Sequence, residues 1–180
     1  MNKRKTLFKK RYRVSSARFP YWDYRKPDLY FVTIVTKHFI CHFGHVENAK
    51  MVLNDLGQFA HEDLFRINKY CDYVRIKHHV VMPNHVHAIF EFTKCVSDYK
   101  TNRFGPLQKN SLSSVVNHHK GRVTKFASSR NIKNWGWLPR FYDHIIRNPY
   151  DYENCCNYIS NNPKKWHHDR FFKTKTQKNM

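Results

Sequence analysis

With 180 residues, of which 41% are hydrophobic and 16% aromatic, the chain is long enough for one domain with a core and too apolar for general disorder. Its formal net charge of +20 favours a polyanionic partner, nucleic acid above all, over an anionic membrane. No apolar run is long enough to span a bilayer. The five cysteines lack CxxC spacing, which argues against a disulfide scaffold and a cysteine zinc site, so we expect a cytoplasmic protein.

The first half of the chain alternates strand and helix patterns. Apolar residues recur at helical spacing from residue 47 to residue 70. Segments rich in β-branched and aromatic residues predict three strands, at residues 29–39, 72–82 and 85–92. Pro83 and Asn84 suit a tight turn between the last two strands, so we expect these to pair antiparallel.

The second half continues the alternation. Residues 93–110 are polar and predict a loop, and residues 111–129 suit a helix that opens on a serine cap. Residues 137–148 resemble a fourth strand, although Pro139 weakens the pattern, and residues 149–162 suit a last helix. The order predicts an α+β, ferredoxin-like split βαβ fold (βαββαβ) with an antiparallel sheet and an added C-terminal helix. Proteins with this fold have many different functions, so the function has to be inferred from the residues of the site.

Basic and aromatic residues concentrate at both ends of the chain. We therefore predict a basic, aromatic N-terminal arm over residues 1–27, one domain over residues 28–163 and a basic tail over residues 164–180. Charged ends of this kind suit contacts with the phosphates of a nucleic acid.

His85 and His87 alternate within the third predicted strand. They share one face of the strand, and Val86 takes the other. The pair is either two hydrogen-bonded imidazoles or two ligands of a metal ion, and two ligands alone do not make a site. His78 and His79 lie on opposite faces of their own strand, so at most one could join, which disfavours a closed zinc site.

Tyr158 and Asn162 stand four residues apart in the last predicted helix, hence on one face. Most tyrosines at such spacing pack in a core. A hard cation such as Mg²⁺ or Mn²⁺ needs oxygen donors and suits phosphate chemistry. Beside a two-histidine metal site, Tyr158 becomes a nucleophile candidate, because a cation offsets the charge that develops on the phosphate.

Five segments resemble, in chain order, the single-tyrosine HUH transposases, and most closely their REP-associated tyrosine transposase branch. The segments are YFVTIVTKHFICHFG, MVLNDLG, VVMPNHVHAIF, FYDHIIRN and NYISNNPKKW. The resemblance extends over roughly residues 21–166, and the two basic ends carry no pattern that matches the family.

The resemblance implies metal-dependent cleavage and strand transfer of single-stranded DNA beside hairpins such as REP-like palindromes. It makes His85 and His87 ligands of Mg²⁺ or Mn²⁺ and Asn162 the third ligand. It makes Tyr158 the nucleophile, which becomes linked to the 5′ phosphate and leaves a free 3′ hydroxyl. The alternative is a hairpin DNA- or RNA-binding protein derived from a transposase that no longer cuts. A nuclease that activates water is a third possibility.

The segment FYDHIIRN matches the family's DHxIR stretch at Asp143, His144 and Arg147. Either His144 contacts the phosphate or orients the tyrosine, or the whole stretch only shapes the corner between strand and helix. Both readings stay open from the sequence.

Basic and aromatic side chains in the domain are candidates for DNA contacts. Trp22, Tyr24 and Trp166 are expected to stack on unpaired bases. The side chains expected at DNA phosphates are those of Lys120, Arg122, Lys125, His144, Arg147, Lys164 and Lys165.

The segment that precedes the tyrosine is short. In insertion-sequence relatives the tyrosine helix is exchanged between two subunits across a flexible linker. Here only RNPYDYEN, without glycine, separates the fourth strand from the turn that carries Tyr158. We expect Tyr158 to meet the histidines of its own chain, which favours a monomer while leaving a dimer possible.

Overall fold

A computed structural model describes residues 22–94 and 109–172 of the chain. The predicted basic arm up to residue 21, most of the predicted loop and the tail from residue 173 lie outside these described residues. In the part that the structure describes, no helix is both long enough and apolar enough to cross a membrane.

The described chain forms six strands and three α-helices. The strands are β1 (Asp28–Val35), β2 (Gly44–Glu47), β3 (Lys50–Leu53), β4 (Val74–Met82), β5 (His85–Phe92) and β6 (Tyr142–Ile146). The helices are α1 (Asp55–Tyr70), α2 (Leu112–Ser129) and α3 (Pro149–Asn161), with short 3₁₀ turns at Lys37–Phe39 and Pro163–His168.

Four strands form one antiparallel sheet in the order β4-β5-β1-β6. β5 pairs with β1 on one side and with its hairpin partner β4 on the other. β6 pairs with the opposite side of β1. This is the predicted ferredoxin-like α+β arrangement, so the predicted fold class is confirmed. The register places Thr33 opposite His87 and Val35 opposite His85.

The sheet is covered on both faces, which explains why β5 is buried at seven of its eight positions. Val32 and Phe90 belong to the main core beneath α1 and α2. Alternate residues point the other way, and Ile89 packs there with Ile159 of α3 in a second, smaller cluster. His85 and His87 share this second face, so α3 and the histidine pair lie on the same side of the sheet.

Two adjacent histidines of β4 contact different helices, and an extra residue before them determines which histidine faces which helix. The register against β5 shifts between Ile76 and His78, which is a β-bulge. His78 Nε2 then lies 2.9 Å from Ser160 Oγ in α3. His79 Nε2 lies 3.0 Å from His61 Nδ1 in α1. The expectation that the two histidines face opposite ways is therefore confirmed.

Side-chain caps fix where the helices begin. Asn54, Ser111 and Asn148 each accept a hydrogen bond from a backbone N–H in the first turn of α1, α2 and α3, respectively. Pro149 occupies the first turn of α3, where its missing N–H is not needed. The predicted starts of α2 and α3 are therefore right.

The start predicted for the first helix is wrong. Residues 44–53 form the β2–β3 hairpin instead, and α1 begins only at Asp55. Asn48 and Ala49 turn the hairpin with positive φ angles of 49° and 59°, a conformation that no helix contains. Asn54 then caps the helix. The apolar residues before Asn54 fit both the helical and the strand spacing. The turn at Asn48 and Ala49 determines that they form strands.

Two predicted strands are shorter than expected. The first ends at Val35, because His38 and Phe39 adopt positive φ angles in a 3₁₀ turn. The fourth strand occupies Tyr142–Ile146 rather than residues 137–148. Its predicted first half contains Pro139, which has no N–H to donate to a neighbouring strand.

Parts of the predicted arm and tail pack on the domain. Tyr24 is buried, and its hydroxyl donates to Asp143 Oδ2 at 2.6 Å. Trp166 and Phe171 are buried on the face that carries the histidine pair. The division into arm, domain and tail stays a prediction, but these three side chains contribute to the packing of the domain.

A buried ionic network joins α1 to α2. Asp63 is fully buried, its Oδ2 lies 2.6 Å from His119 Nδ1, and its Oδ1 accepts from Arg122. Burial would raise the pKa of Asp63, but the hydrogen bonds from His119 and Arg122 outweigh it and hold that pKa below its ordinary value of 3.8. The carboxylate is therefore charged in the folded protein at neutral pH.

We predict that Asp63→Asn lowers the free energy of unfolding by about 3 kcal/mol, because it leaves buried donors without their charged partner. Urea unfolding at neutral pH measures the change. Glu62→Gln is the matched control: its carboxylate forms an exposed pair with Arg66, so a loss of about 0.5 kcal/mol or less is expected.

The difference between wild type and Asp63→Asn should depend on pH. A carboxyl group with a lowered pKa in the folded state stabilises the fold above its unfolded pKa, and this contribution is lost as the pH falls through the folded value. The difference should therefore be full at neutral pH and shrink below pH 3.8. A difference that stays constant into that acid range would contradict the charged network.

Candidate active site

The two histidines of β5 form the floor of a buried polar site. His85 and His87 are 0% and 1% exposed, and their ring centroids lie 4.5 Å apart. The Nε2 atoms of both rings are buried without a hydrogen-bond partner among the described residues. Buried polar atoms are nearly always paired, so two such nitrogens on one face fit a shared ligand.

Asn84 fixes the tautomer of His85. The Asn84 side-chain nitrogen donates to two backbone carbonyls, those of Phe39 at 3.0 Å and Phe171 at 2.8 Å. Its oxygen is therefore the atom that faces His85 Nδ1, at 2.9 Å. Because an amide oxygen can only accept, Nδ1 carries the proton and Nε2 of the neutral ring keeps its lone pair. A metal ligand needs that lone pair.

Thr33 supports His87 in the same way from the neighbouring strand. Its hydroxyl lies 2.8 Å from His87 Nδ1, an arrangement that lets Nδ1 donate and leaves Nε2 as the acceptor. Phe31 stacks on the His87 ring with centroids 5.3 Å apart. Outer contacts of this kind hold ligating histidines in a fixed orientation.

Burial keeps both rings neutral near pH 7. It lowers the pKa of His85 to about 4, although the negative charge of Asp169 acts against the shift. Burial likewise lowers the pKa of His87 well below 6.5, and the neighbouring His85 adds to the effect. Neutral imidazole is the form that binds metals.

Asn162 contributes a third unpartnered atom. It follows the end of α3, its side chain is 3% exposed, and its Oδ1 has no hydrogen-bond partner among the described residues. Its Nδ2 donates to Asp169 Oδ2 at 3.3 Å. Two imidazole nitrogens and one amide oxygen therefore fit a divalent cation, and His85, His87 and Asn162 would hold it.

Asp169 was not a candidate from the sequence. Its Oδ2 lies 4.0 Å from His85 Nε2, and the ligand atoms of His85, His87 and Asp169 all lie within 4.8 Å of one another. The residue follows the 3₁₀ turn in the segment HHDRFF, which no local pattern separates from a solvated basic tail. Its position depends on how Trp166 and Phe171 pack.

Tyr158 lies over the histidines at the edge of the site. It is 44% exposed, and its ring centroid is 5.1 Å from that of His87 and 5.8 Å from that of Phe31. Burial raises the pKa of its hydroxyl, as does the charge of Asp169, so the phenol is protonated at neutral pH. The structure thus brings the predicted nucleophile and predicted ligands of one chain together.

A groove of about 460 Å³ opens beside Tyr158. Its lining combines cationic and aromatic side chains with the histidine floor, and it comprises Phe31, Thr33, His87, His144, Asn154, Cys155, Tyr158 and Arg170. Arg170, which the sequence did not single out, places its guanidinium over the rings of Tyr142 and Phe171 at 4.8 and 4.5 Å. A groove with this lining suits a phosphodiester beside the phenol.

The DHxIR stretch shapes the corner between β6 and α3, and its His144 also lines the groove. His144 lines the groove, and its Nε2 lies 2.8 Å from Asp151 Oδ2 in the first turn of α3. Arg147 donates from its backbone N–H to the same carboxylate at 3.2 Å. Asp143 instead receives the hydroxyl of Tyr24. The stretch therefore shapes the strand-to-helix corner and also presents His144 to the groove.

Several predicted DNA contacts are engaged within the fold. Arg122 pairs with Asp63, and Lys120 donates to the carbonyl of Leu138 at 2.7 Å, so neither points freely into solvent. Tyr24 and Trp166 are buried, which leaves no open ring face for a base. The predicted contacts that the structure leaves exposed are those of Lys125, His144, Arg147, Lys164 and Lys165.

We predict that Asn84→Asp lowers the free energy of unfolding by about 3 kcal/mol, because a carboxylate oxygen would replace the nitrogen that faces two carbonyl oxygens. Thermal and urea unfolding measure the loss. Asn117→Asp, on an exposed position of α2, is the control and should change stability by about 0.5 kcal/mol or less. Equal effects in the two variants would contradict the described role of Asn84.

Two known proteins are similar to this chain in sequence. No protein-family model matches the chain. An uncharacterized protein of Haemophilus influenzae is 34% identical over 168 residues, which cover 87% of this chain and 92% of that protein. The REP-associated tyrosine transposase of Escherichia coli is 33% identical over 86 residues, 48% of this chain. The matched part is 42% of that transposase, less than half of its length.

A solved structure shows a similar fold. It is that of a REP-associated tyrosine transposase bound to a REP hairpin, with a TM-score of 0.53 at 23% identity, covering 83% of this chain and 73% of that one. At this identity the likeness establishes the fold alone. Together with the sequence matches, it confirms the resemblance to REP-associated tyrosine transposases, and the chain belongs to one family with the Haemophilus influenzae protein.

Proposed function

We propose that this protein is a metal-dependent, transposase-like enzyme that cuts and rejoins single-stranded DNA beside hairpin-forming repeats through Tyr158. The observation that carries the proposal is the set of three buried atoms without partners, His85 Nε2, His87 Nε2 and Asn162 Oδ1, next to a half-exposed phenol. Buried polar atoms without a partner are rare, and three of them on one side of the sheet beside a phenol support a bound cation.

The donor set supports Mg²⁺ or Mn²⁺ as the cofactor. When bound, such an ion supplies a positive charge that stabilises the charge developing on a phosphate oxygen. The protein residues supply position: Asn84 and Thr33 orient the two imidazoles, and the aromatic rings around them exclude water.

Tyr158 would carry out the covalent step. Its hydroxyl oxygen attacks the phosphorus of a phosphodiester in the groove, a Tyr158–phosphate ester forms, and the bond from phosphorus to the 3′ oxygen breaks. The phenolic proton leaves to solvent or to a side chain of the groove, and the departing 3′ oxygen takes up a proton. Attack by a 3′ hydroxyl on the ester reverses these steps on another strand and releases Tyr158.

A DNA hairpin is the proposed partner. The related solved structure contains a REP hairpin, and the formal net charge of +20 favours a nucleic acid. We further propose that one chain suffices for cleavage. Only Arg147 and Asn148 separate β6 from α3, and two residues span about 7 Å at most, too short to carry α3 to another subunit.

Covalent trapping tests the mechanism. With a labelled hairpin-bearing single strand and Mn²⁺ or Mg²⁺, the wild type should give a protein–DNA adduct that survives denaturation. Tyr158→Phe should abolish it, since the nucleophilic oxygen is gone. Tyr150→Phe is the matched control, a tyrosine 75% exposed on the same helix, and should form the adduct as wild type does.

Each other result selects a different function. Cleavage that persists in Tyr158→Phe, without an adduct, would mean that water is the nucleophile. Hairpin binding with neither cleavage nor adduct, whether or not metal is present, would support the non-catalytic DNA- or RNA-binding alternative.

Mixing two inactive variants tests whether one chain suffices. Tyr158→Phe and His85→Ala should stay inactive when combined, because each chain lacks one part of its own site. The adduct assay measures this, with a wild-type sample at the same total concentration as reference. Restored adduct formation in the mixture would show a site shared between subunits.

A further inference from the structure

We propose that Asp169 is a fourth protein ligand of the metal site, which makes the donor set two imidazoles, one amide oxygen and one carboxylate. This inference rests on the metal site of the proposed function. It assigns a role to a residue outside the HUH pair, outside the tyrosine helix and outside every segment that carried the sequence resemblance.

The position of the Asp169 carboxylate supports the assignment. Its Oδ2 lies 4.0 Å from the unpartnered Nε2 of His85, and a ligand atom of His87 completes a cluster within 4.8 Å. Two atoms that each lie about 2.1 Å from one ion are at most about 4.2 Å apart. The His85–Asp169 separation is within that limit, and the 4.8 Å that bounds the cluster exceeds it by about 0.6 Å.

The charge of Asp169 points the same way. Its side chain is 3% exposed, and its ion-pair partner in the described part of the chain is His85, which is neutral. Arg170, the next residue, holds its guanidinium over the rings of Tyr142 and Phe171 instead. A buried carboxylate without a cation is unfavourable, and a divalent ion between Asp169 and the two histidines would supply the positive charge.

The hydrogen bonds of Asp169 leave room for a ligand. Oδ1 accepts from the backbone N–H of Phe171 at 2.7 Å, which shapes the turn. Oδ2 accepts from Asn162 Nδ2 at 3.3 Å, a contact that leaves the Asn162 oxygen, Oδ1, without a hydrogen bond among the described residues. One oxygen of Asp169 therefore fixes the turn, while the other lies 4.0 Å from the free Nε2 of His85.

Two aromatic anchors hold Asp169 in this place. The Trp166 ring lies 6.0 Å from His85 on one side of the turn, and the Phe171 ring lies 4.8 Å from it on the other. Asn84 also binds the carbonyl of Phe171 at 2.8 Å. The aromatic residues on both sides of Asp169 thus contact His85 or its neighbour Asn84.

Manganese binding to the full-length protein tests the assignment without any DNA. Titration with Mn²⁺, followed by the electron paramagnetic resonance of free Mn²⁺, gives the affinity. Asp169→Asn should weaken binding by about 10- to 100-fold or more, since loss of an outer-sphere partner alone has an effect of that size. Asp72→Asn, the same change on an exposed surface residue, should bind as wild type does.

Asp169→Asn keeps an acceptor for the Phe171 N–H but loses the acceptor for Asn162 Nδ2, so the metal-free variant should fold with a somewhat lower unfolding temperature than wild type. The visible spectrum of bound Co²⁺ separates a ligand from a neighbour. At saturation, loss of a carboxylate ligand should change the band positions and intensities in Asp169→Asn. An unchanged Co²⁺ spectrum would overturn the assignment, even if affinity fell.

His85→Ala separates this inference from the proposed function. If His85→Ala abolishes Mn²⁺ binding while Asp169→Asn binds as wild type does, Asp169 is not a ligand but the histidine metal site stands. If both variants bind as wild type does, the metal site falls and the inference falls with it. If Asp169→Asn changes both affinity and spectrum while no DNA adduct ever forms, the fourth ligand stands and only the cleavage proposal fails.

Discussion

The side-chain amide of Asn84 is the contact on which the arrangement of the site depends. Fully buried in the turn between β4 and β5, it binds the carbonyls of Phe39 and Phe171 through its nitrogen and His85 through its oxygen. One group therefore joins the chain after β1, the C-terminal segment and His85 of the candidate site. Because an amide has two distinct ends, the same contact that closes the fold also sets which nitrogen of His85 is free.

Burial explains the protonation states on both sides of the candidate site. The rings of Phe31, Trp166 and Phe171 remove water from the histidines, which lowers the pKa of His85 to about 4. The same loss of water raises the pKa of Tyr158. Neutral imidazoles and a protonated phenol are thus two results of one cause, and an unpartnered buried atom costs about 1–3 kcal/mol of stability. Sites that bind charged ligands often carry such a cost until the ligand arrives.

The sequence predicts the elements whose signals are local. Alternation in VMPNHVHAIFEF was enough to place His85 and His87 on one face, and capping residues located α2 and α3. It did not predict the β2–β3 hairpin, because residues 47–53 suit a helical period until the turn at Asn48 is known. Nor could it find Asp169, whose place depends on long-range packing. We expected Arg122 to contact DNA, because the sequence does not show that a buried residue such as Asp63 pairs with it.

The bulge in β4 has a consequence for how this sheet can vary. Lys77 is the residue by which β4 exceeds its partner between Ile76 and His78, and it reverses the alternation from that point on. Before it, Val74 and Ile76 are the residues that enter the main core; after it, the odd-numbered Val81 does so. A deletion of Lys77 itself would remove the bulge and leave the later residues opposite their present partners. A one-residue insertion or deletion elsewhere in β4 would instead turn the residues on one side of it to the other face of the sheet, which a substitution does not do.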